Sequence, residues 1–398
     1  MRILYIHTRY LQSAGGEDTT LESEVNLMRA RGHEVSVQLF DNANMGSGIT
    51  GKIKAGISAV YNADSANQVS AILKSFKPDI VHIHNFFFTA SPSVLIEVAR
   101  HKIPLIVTLQ NFRLVCANSL LLRNNHICEL CLKHDFPWYG VKYKCYHDSA
   151  IQSAVVGATA AIHKWIGTWR NKVNLFITPS AFSRNKLLNS SLKIADHKIR
   201  IKHNFIEDPG IADVANKDSF YLFVGRLSVE KGVDVLLKAW KQLSGEKLVI
   251  VGDGPEAKNL QNEYGNISNV SFVGKKNKTE VIGLMKQCKA LIFPSIWYEG
   301  LPLTMIESLA TGTPILASSL GAMQEIIVHG SNGMLFEPGN PVALADTVVS
   351  FNKYVALGNA EMYNNARATY LKKYHPDVCY HQIMHIYNGV IAGQKNDG

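Results

Sequence analysis

Residues 295–314 read Ser-Ile-Trp-Tyr-Glu-Gly-Leu-Pro-Leu-Thr-Met-Ile-Glu-Ser-Leu-Ala-Thr-Gly-Thr-Pro and lie between two short apolar runs, 290–294 and 314–317. Pro302 suits the first position of a helix, where its missing N–H leaves no hydrogen bond unmade. Gly312 follows the apolar residues of that helix and suits its end. The stretch therefore predicts a strand, a loop, a helix and a second strand.

The start of the predicted helix is suited to binding an anion. The backbone N–H groups of Gly300, Leu301 and Leu303 would have no partner within the helix and would face an anion. Glu299 precedes them and Glu307 follows, with seven residues between the two glutamates. Because a carboxylate accepts two hydrogen bonds at once, it suits a vicinal diol such as a ribose. Together these groups predict a sugar-nucleotide site, although an ordinary amphipathic helix has the same spacing.

The stretch closely resembles the Glu-x7-Glu signature of glycosyltransferase family 4, whose members are retaining enzymes of the GT-B fold used in bacterial surface polysaccharide or glycolipid assembly. The resemblance is specific over about residues 220–345 and looser over 1–205. It implies an α/β protein with two doubly wound, Rossmann-like domains that face each other across a cleft. The implied parts are an acceptor-binding domain over 1–205, a nucleotide-sugar-binding domain over 206–370, and a last helix over 371–398 that crosses back to the first domain.

Two basic residues, Arg226 and Lys231, flank a turn after the predicted strand 221–224. Their charges suit a diphosphate and the negative charge that it gains as it leaves. The resemblance implies that Glu299 orients the transferred sugar, which makes these three residues the catalytic candidates, and that Glu307 holds the ribose. The donor-binding set that it implies is Gly15, Gly16, Gly225, Gly252, Gly254, Val273, Gly300, Leu301, Pro302, Leu303 and Glu307.

The turn over residues 252–257 supports an alternative function. It reads Gly-Asp-Gly-Pro-Glu-Ala after a predicted strand, which matches the G-x-G-x-x-A pattern of dinucleotide-binding proteins. A nicotinamide-dependent oxidoreductase therefore stays open. The acid that should bind the ribose about 20 residues later is missing, because residues 270–278 contain none. The resemblance places a similar turn at the nucleotide site.

Four polar residues at the ends of predicted strands form the candidate acceptor and sugar side, because the carboxyl ends of parallel strands line the crevice of such folds. Family members usually have a histidine near Gln110. Glutamine hydrogen-bonds a hydroxyl but cannot carry a proton. A non-catalytic sugar-nucleotide binder is therefore a second alternative. The four residues are His84, Asn85, Gln110 and Asn111.

A long connection over residues 112–148 contains four cysteines with the spacing C-x11-C-x2-C-x13-C. Four thiolates that include a C-x2-C pair can hold zinc tetrahedrally, and such a site is structural because no coordination position is open. Four unlinked thiols, or a recurrent family loop without metal, are the alternatives. The candidate ligands are Cys116, Cys128, Cys131 and Cys145.

The positive charge of the chain lies in its first half. Residues 1–205 contain 24 Lys and Arg against 13 Asp and Glu, whereas the remainder contains 17 against 19. This surplus predicts an anionic partner, and the aromatic segments 86–88 and 136–139 suit a lipid-linked acceptor at an anionic membrane. The basic residues are scattered without a run of five, which disfavours nucleic acid.

The 398 residues exceed what one core usually organises, which predicts two domains. No apolar run reaches the ~20 residues of a membrane span, and the first ten residues lack a signal-peptide pattern. We therefore expect a cytoplasmic protein, peripheral at the inner face of the plasma membrane, with reduced cysteines. The sequence has no Asp-x-Asp, which agrees with a metal-independent reaction that needs no cofactor. The expected reaction moves a sugar from a nucleoside-diphosphate sugar to a glycan or lipid-linked acceptor.

Overall fold

The computed structural model describes residues 1–9, 15–42, 56–213, 217, 219–358 and 360–396, and of 395 and 396 only the backbone. The chain divides into two compact units. The first comprises Met1–Leu121, Cys128–Asn204 and Cys379–Gly398, and the second comprises Leu122–Ile127 and Phe205–Val378.

The strands up to Ile201 are β1 (Arg2–Arg9), β2 (Glu34–Asp41), β3 (Ile80–Asn85), β4 (Leu105–Thr108), β5 (Leu122–Arg123), β6 (His126–Ile127), β7 (Leu175–Thr178) and β8 (Ile199–Ile201). Six of them form the sheet of the first unit, in the order β2-β1-β3-β4-β7-β8 with parallel pairing. The fully buried apolar run of β4 is typical of a parallel sheet that helices cover on both faces. The strand order reverses between β1 and β3, which is where doubly wound sheets bind ligands.

The helices up to Ile201 are α1 (Gly16–Ala30), α2 (Ala63–Phe76), α3 (Ser93–Arg100), α4 (Trp138–Lys142), α5 (Ala150–Trp165), α6 (Thr168–Asn171) and α7 (Ala181–Leu188). Side-chain caps define several of their starts. The side chain of Asn62 accepts the N–H groups of Asp64 and Ser65 at α2, and the Ser149 hydroxyl accepts that of Gln152 at α5.

The second unit has a second parallel sheet, formed by β9 (Phe220–Val224), β10 (Lys247–Val251), β11 (Val270–Phe272), β12 (Ala290–Phe293), β13 (Ile315–Ser318) and β14 (Gly333–Phe336). Its order is β11-β10-β9-β12-β13-β14. The reversal falls between β9 and β12, so the loops after these two strands are the expected ligand-binding loops of this unit.

Its helices are α8 (Val233–Trp240), α9 (Ala257–Tyr264), α10 (Lys278–Gln287), α11 (Leu303–Ala310), α12 (Met323–Ile326), α13 (Pro341–Ala356), α14 (Glu361–Lys373) and α15 (Pro376–Asn396). Pro302 is the residue before α11 and not its first residue, so that prediction was wrong by one position. Its ψ of 123° is extended. Gly312 follows the helix with a φ of 73°, the left-handed conformation of a helix stop.

The fold class is as predicted, because each unit is a doubly wound, parallel α/β sheet. The division of the chain differs from the predicted boundaries in three places. The break falls after Asn204, the hairpin Leu122–Ile127 groups with the second unit, and the chain rejoins the first unit at Cys379 instead of residue 371. From α15, Ile383 and Tyr387 pack into the core of the first unit.

Candidate functional site

Two predicted catalytic residues lie in the loops at the sheet reversal of the second unit. Lys231 ends a 3-10 turn, Val229–Lys231, that follows β9, and Glu299 lies between β12 and α11. The strands β9 and β12 are neighbours, so both loops open at one edge of the sheet. The Lys231 ammonium donates a hydrogen bond of 2.7 Å to Glu299 Oε1.

Glu299 is only 6% exposed, and three side chains hold its carboxylate. Besides Lys231, the Ser295 hydroxyl donates to Oε1 over 2.9 Å and the Trp297 indole N–H over 2.8 Å. The Lys231 ammonium also lies 5.5 Å from the centre of the Trp297 ring and 5.7 Å from that of Phe293. These contacts offset the cost of burying a carboxylate and an ammonium. The loops thus present a fixed pair of opposite charges.

Close backbone packing positions this pair. Gly232, directly after Lys231, has a φ of 68°, and a Cβ built on it would lie 2.0 Å from Pro294 O. Ile296 N donates to Glu230 O over 3.0 Å and joins the same two loops. Glycine is therefore required where the turn after β9 meets the end of β12.

The G-x-G-x-x-A turn packs against the loop after β9. Gly252 has a φ of 146°, and a Cβ on it would lie 1.8 Å from Gly225 O. Leu227 N donates to Asp253 O over 2.9 Å, and Gly254 lies in the same pair of loops. This backbone contact explains the glycine pattern without a dinucleotide.

None of the described side chains caps the first turn of α11, so the N–H group of Leu303 is suited to an anion. Gly300 and Leu301 precede the helix, so their N–H groups are not part of that turn. Glu307 lies about one turn into this helix and is half-buried. Burial raises the pKa of Glu307, while the charge of Lys278 opposes that rise.

Two further predicted residues stand apart from the Lys231–Glu299 pair. The side chain of Arg226 is exposed, and none of the described contacts joins it to that pair. Val273 follows β11, its N–H donates to Ile250 O over 3.0 Å, and its side chain is 38% exposed. A cavity of about 500 Å³ opens next to the turn after β9 and is lined by Gly232, Ile296 and Glu256, which the motifs did not single out.

In the first unit, the predicted glycine pair forms the start of α1. Gly15 is the residue before the helix, and its N–H donates to Asp18 Oδ2 over 2.9 Å. His7 Nε2 donates to the other oxygen of that carboxylate over 2.8 Å. Burial lowers the pKa of His7, and its hydrogen bond to Asp18 opposes that shift. Gly15 and Gly16 are exposed, and their backbone is accessible to a ligand.

His84 and Asn85 are buried at the end of β3 and bind other parts of the unit. Burial lowers the pKa of His84 to about 4, so it carries no charge near neutral pH. The Asn85 amide donates to Thr8 O over 2.8 Å and its oxygen accepts the N–H of Phe87 over 3.1 Å. The aromatic segment Phe86–Phe88 is also buried, so it offers no surface to a lipid, contrary to the prediction.

Glu24 of α1 is the centre of a buried polar network that sequence motifs did not reveal. Its carboxylate forms an ion pair with Lys202 and lies 3.0 Å from His82 Nδ1. Burial alone would raise the pKa of Glu24, but Lys202 and His82 hold it well below its usual value. The ligand atoms of Glu24, His82 and His84 lie within 4.8 Å of one another. Lys202 already supplies the cation there, which disfavours a metal.

Gln110 and Asn111 at the end of β4 also have side-chain partners. Gln110 and Asn204 exchange two hydrogen bonds of 3.1 Å. The Asn111 amide donates to Glu17 Oε1 over 2.7 Å, and Glu17 Oε2 is a buried oxygen with no hydrogen-bond partner among the described residues. Burial raises the pKa of Glu17. Glu17 and Asn204 therefore lie beside the residues of the predicted acceptor side. Sequence motifs did not identify them because each is distant along the chain from its partner.

A family model described as glycosyl transferases group 1 matches residues 204–368. The chain is 32% identical over 198 residues to an uncharacterised glycosyltransferase of Methanocaldococcus jannaschii, covering 47% of this chain and 48% of that protein. It is 30% identical over 193 residues to the phosphatidyl-myo-inositol mannosyltransferase of Mycobacterium leprae, covering 47% and 51%. The N-acetyl-alpha-D-glucosaminyl L-malate synthase of Bacillus anthracis is 23% identical over 347 residues, covering 84% and 81%. The chain spans about half the length, or less, of the first curated relatives that it matches.

Solved structures share the fold over nearly the whole chain. Anabaena HepE in complex with UDP has a TM-score of 0.68 at 16% identity, covering 98% of this chain and all of that one. Sucrose-phosphate synthase from Thermosynechococcus elongatus has a TM-score of 0.70 at 17% identity, covering 98% and 99%. With the two doubly wound units, these neighbours define a GT-B fold. The match over residues 204–368 and the names of the relatives support a glycosyltransferase of the group 1 type.

Proposed function

We propose that this protein transfers a sugar from a nucleoside-diphosphate sugar to a glycan or lipid-linked acceptor, with retention of configuration and without a metal cofactor. The observation that carries the proposal is the Lys231–Glu299 pair at the sheet reversal of the second unit. This pair lies within the segment that matches the group 1 family. A role in bacterial surface polysaccharide or glycolipid assembly is part of the proposal.

In this reaction Lys231 stabilises the leaving diphosphate. An incoming diphosphate offers the ammonium a second anionic partner, and Glu299 keeps Ser295 and Trp297 as donors when Lys231 turns towards it. Glu299 then accepts a hydroxyl of the transferred sugar. The bond between the sugar C1 and the diphosphate oxygen breaks, and its electron pair stays on that oxygen. The acceptor hydroxyl oxygen bonds to C1 through an oxocarbenium-like state, and its proton passes to the departing diphosphate.

The remaining groups of the second unit bind the nucleotide. Glu307 accepts the two hydroxyls of the ribose, and the first turn of α11 faces the phosphates. Arg226 adds positive charge from the loop after β9. Because basic side chains and amides supply the stabilising charge, no divalent ion is needed in this scheme.

A lipid-linked acceptor at an anionic membrane is the proposed partner of the first unit. The surplus of Lys and Arg in residues 1–205 favours it, as does an exposed aromatic patch. Trp138 and Trp165, 66% and 62% exposed, line a cavity of about 390 Å³ together with Phe136. Tryptophan side chains of this kind suit the bilayer interface. No helix in the described residues is long and apolar enough to cross a membrane.

A non-catalytic sugar-nucleotide binder is the second candidate, and Gln110 favours it. Both ends of its amide are engaged with Asn204, and an amide carries no proton in any case. Release of nucleoside diphosphate from a nucleotide sugar in the presence of an acceptor would show that the protein is an enzyme and exclude the non-catalytic binder.

Thermal unfolding with nucleoside diphosphates, nucleotide sugars and NAD tests the site, because a ligand that binds the folded state raises its Tm. We expect a nucleoside diphosphate to raise the Tm. Glu307→Ala should weaken its binding by on the order of 1–3 kcal/mol, since the ribose loses its acceptors. Asp346→Ala, an exposed acid on α13, is the matched control and should bind normally. Stabilisation by NAD alone, or unchanged nucleotide affinity in Glu307→Ala, would contradict the proposal.

A further inference from the structure

The connection between β4 and α5, called here the cysteine loop (residues 112–148), has little regular structure of its own. It contains the hairpin β5–β6 and the short helix α4. Its non-glycine residues with positive φ are Ser119, Leu121, Asn124, Asn125, Lys144, His147 and Asp148. Such backbone persists only where surrounding contacts hold it, and ordering each residue costs about 1–2 kcal/mol of conformational entropy. The loop therefore needs a cross-link or an unusually good set of contacts.

Gly140 lies beside Cys131 and Cys145, and beside Ala117, which is next to Cys116. Cys131 Sγ lies 3.8 Å from the position that a Cβ on Gly140 would take, and the Cβ of Ala117, next to Cys116, lies 3.1 Å from it. Cys145 N donates to Gly140 O over 2.9 Å.

The fourth cysteine, Cys128, directly follows the hairpin and belongs to the C-x2-C pair with Cys131. Its N–H donates to Leu121 O over 2.8 Å, which closes the base of the hairpin. All six cysteines of the chain are reduced thiols in this structure.

Metal binding would change the contacts of these thiols. The Cys116 thiol donates to Asn118 Oδ1 over 3.0 Å in this structure. Zinc binds thiolates, so each cysteine that binds it releases a proton and forms a Zn–S bond instead.

We propose that Cys116, Cys128, Cys131 and Cys145 bind one structural zinc ion that cross-links the cysteine loop. Four thiols release four protons and form four Zn–S bonds of about 2.3 Å, so neither an oxidant nor a reductant is involved. The four sulfur atoms do not form a group within 4.8 Å in the described chain, so the side chains must close around the ion. A four-thiolate site has no open position and is separate from the transfer reaction.

The proposal is tested on the full-length protein, purified in its reduced form without added metal or chelator. Elemental analysis should find one zinc per chain, and X-ray absorption at the zinc edge should show four sulfur ligands at about 2.3 Å. Cys131→Ser should lose most of the zinc and lower the Tm. Cys288→Ser is the matched control, because that buried cysteine lies in the second unit and should leave the zinc content unchanged.

If Cys131→Ser does not fold, the wild-type protein provides a second test. Removal of its zinc by a chelator should lower the Tm, and added zinc should restore it. Folded wild-type protein that stays metal-free after exposure to zinc would overturn the proposal. Nitrogen and oxygen ligands at the zinc edge would overturn it as well, and would indicate Glu24, His82 and His84 instead. Neither result depends on the glycosyltransferase assignment.

Discussion

At the scale of single residues, the candidate site consists of buried charges that already have partners. Glu299 accepts three hydrogen bonds on one oxygen, and the strongest donor is the ammonium of Lys231. A substrate that binds here therefore replaces one of the existing hydrogen bonds of Glu299 or Lys231. The attraction between the ammonium and a diphosphate is strongest when negative charge develops on the diphosphate in the transition state. An interaction that strengthens in the transition state lowers the reaction barrier.

Lys231→Ala should consequently lower kcat more than it raises KM, by roughly 10²- to 10³-fold as for other groups that stabilise developing charge. Arg226→Ala should act in the same direction. Steady-state kinetics with the nucleotide sugar checks this, and Lys238→Ala, an exposed residue of α8 paired with Asp234, is the control. A variant that loses only ground-state affinity and keeps its kcat would rule out this role for Lys231.

At the scale of elements, loop-to-loop backbone contacts set the geometry of the site. The 3-10 turn after β9 is pressed against the end of β12 at a glycine, and the G-x-G turn after β10 is pressed against the loop after β9. The loops that follow neighbouring strands thus lie at the same edge of the sheet, and the glycines allow their backbones to be in contact.

Gly232→Ala should disturb both stability and nucleotide binding. The added Cβ would meet Pro294 O at 2.0 Å, and the φ of 68° is strained for alanine, which together cost at least about 1 kcal/mol. Gly245→Ala, where no atom of the described part of the chain lies within 4 Å of the new Cβ, should change little and serves as the control. Denaturant unfolding and nucleotide titration measure the two effects. Wild-type values for both in Gly232→Ala would mean that the turn is free to move.

The polar network of α1 and β3 makes the stability of the protein depend on pH. Burial lowers the pKa of His84 to about 4, below the value near 6.5 of an unfolded chain. In this pH range the unfolded state binds a proton at His84 and the folded state does not. The free energy of unfolding therefore decreases as the pH falls from about 6.5 towards 4.

Between pH 7 and pH 5 this loss should amount to on the order of 2 kcal/mol. Unfolding free energies measured at both pH values in wild type and His84→Gln give the contribution, because glutamine does not titrate there. His381→Gln removes an exposed histidine of α15 and should retain the wild-type slope. An identical slope in all three proteins would show that His84 is protonated without penalty in the folded state.

At the scale of the whole molecule, the uneven distribution of charge indicates which kind of partner the protein binds. The basic first half carries the exposed residues Trp138 and Trp165, whereas the second half is close to neutral. A membrane with anionic lipids complements both the charge and the aromatic patch.

We therefore expect co-sedimentation with anionic liposomes that weakens at high salt, since exposed charges more than about 8 Å apart are largely screened at physiological ionic strength. Replacing both tryptophans by alanine should reduce binding at every salt concentration. Leu357→Ala, which removes an apolar side chain that is 84% exposed from the second unit, is the control. Binding that ignores lipid charge, or is absent, would point to a soluble acceptor.

The sequence by itself determined the alternation of strands and helices, the loops at the strand ends, and the chemistry of residues 295–314. These features are local: apolar runs, glycines and a helix start act within a few residues of one another, so their pattern can be read along the chain. The order of the strands did not follow from this alternation, because one strand lies beyond β1 in the first sheet and two lie beyond β9 in the second.

Only the tertiary structure decided which polar residues are available and which are engaged. The partners of Gln110, Glu24 and Lys231 lie 94, 178 and 68 residues away along the chain, so no local pattern announces them. The burial of Phe86–Phe88 and the exposure of Trp138 were decided in the same way. Residues of equal hydrophobicity differ only in what packs over them, and packing depends on segments that are distant in sequence.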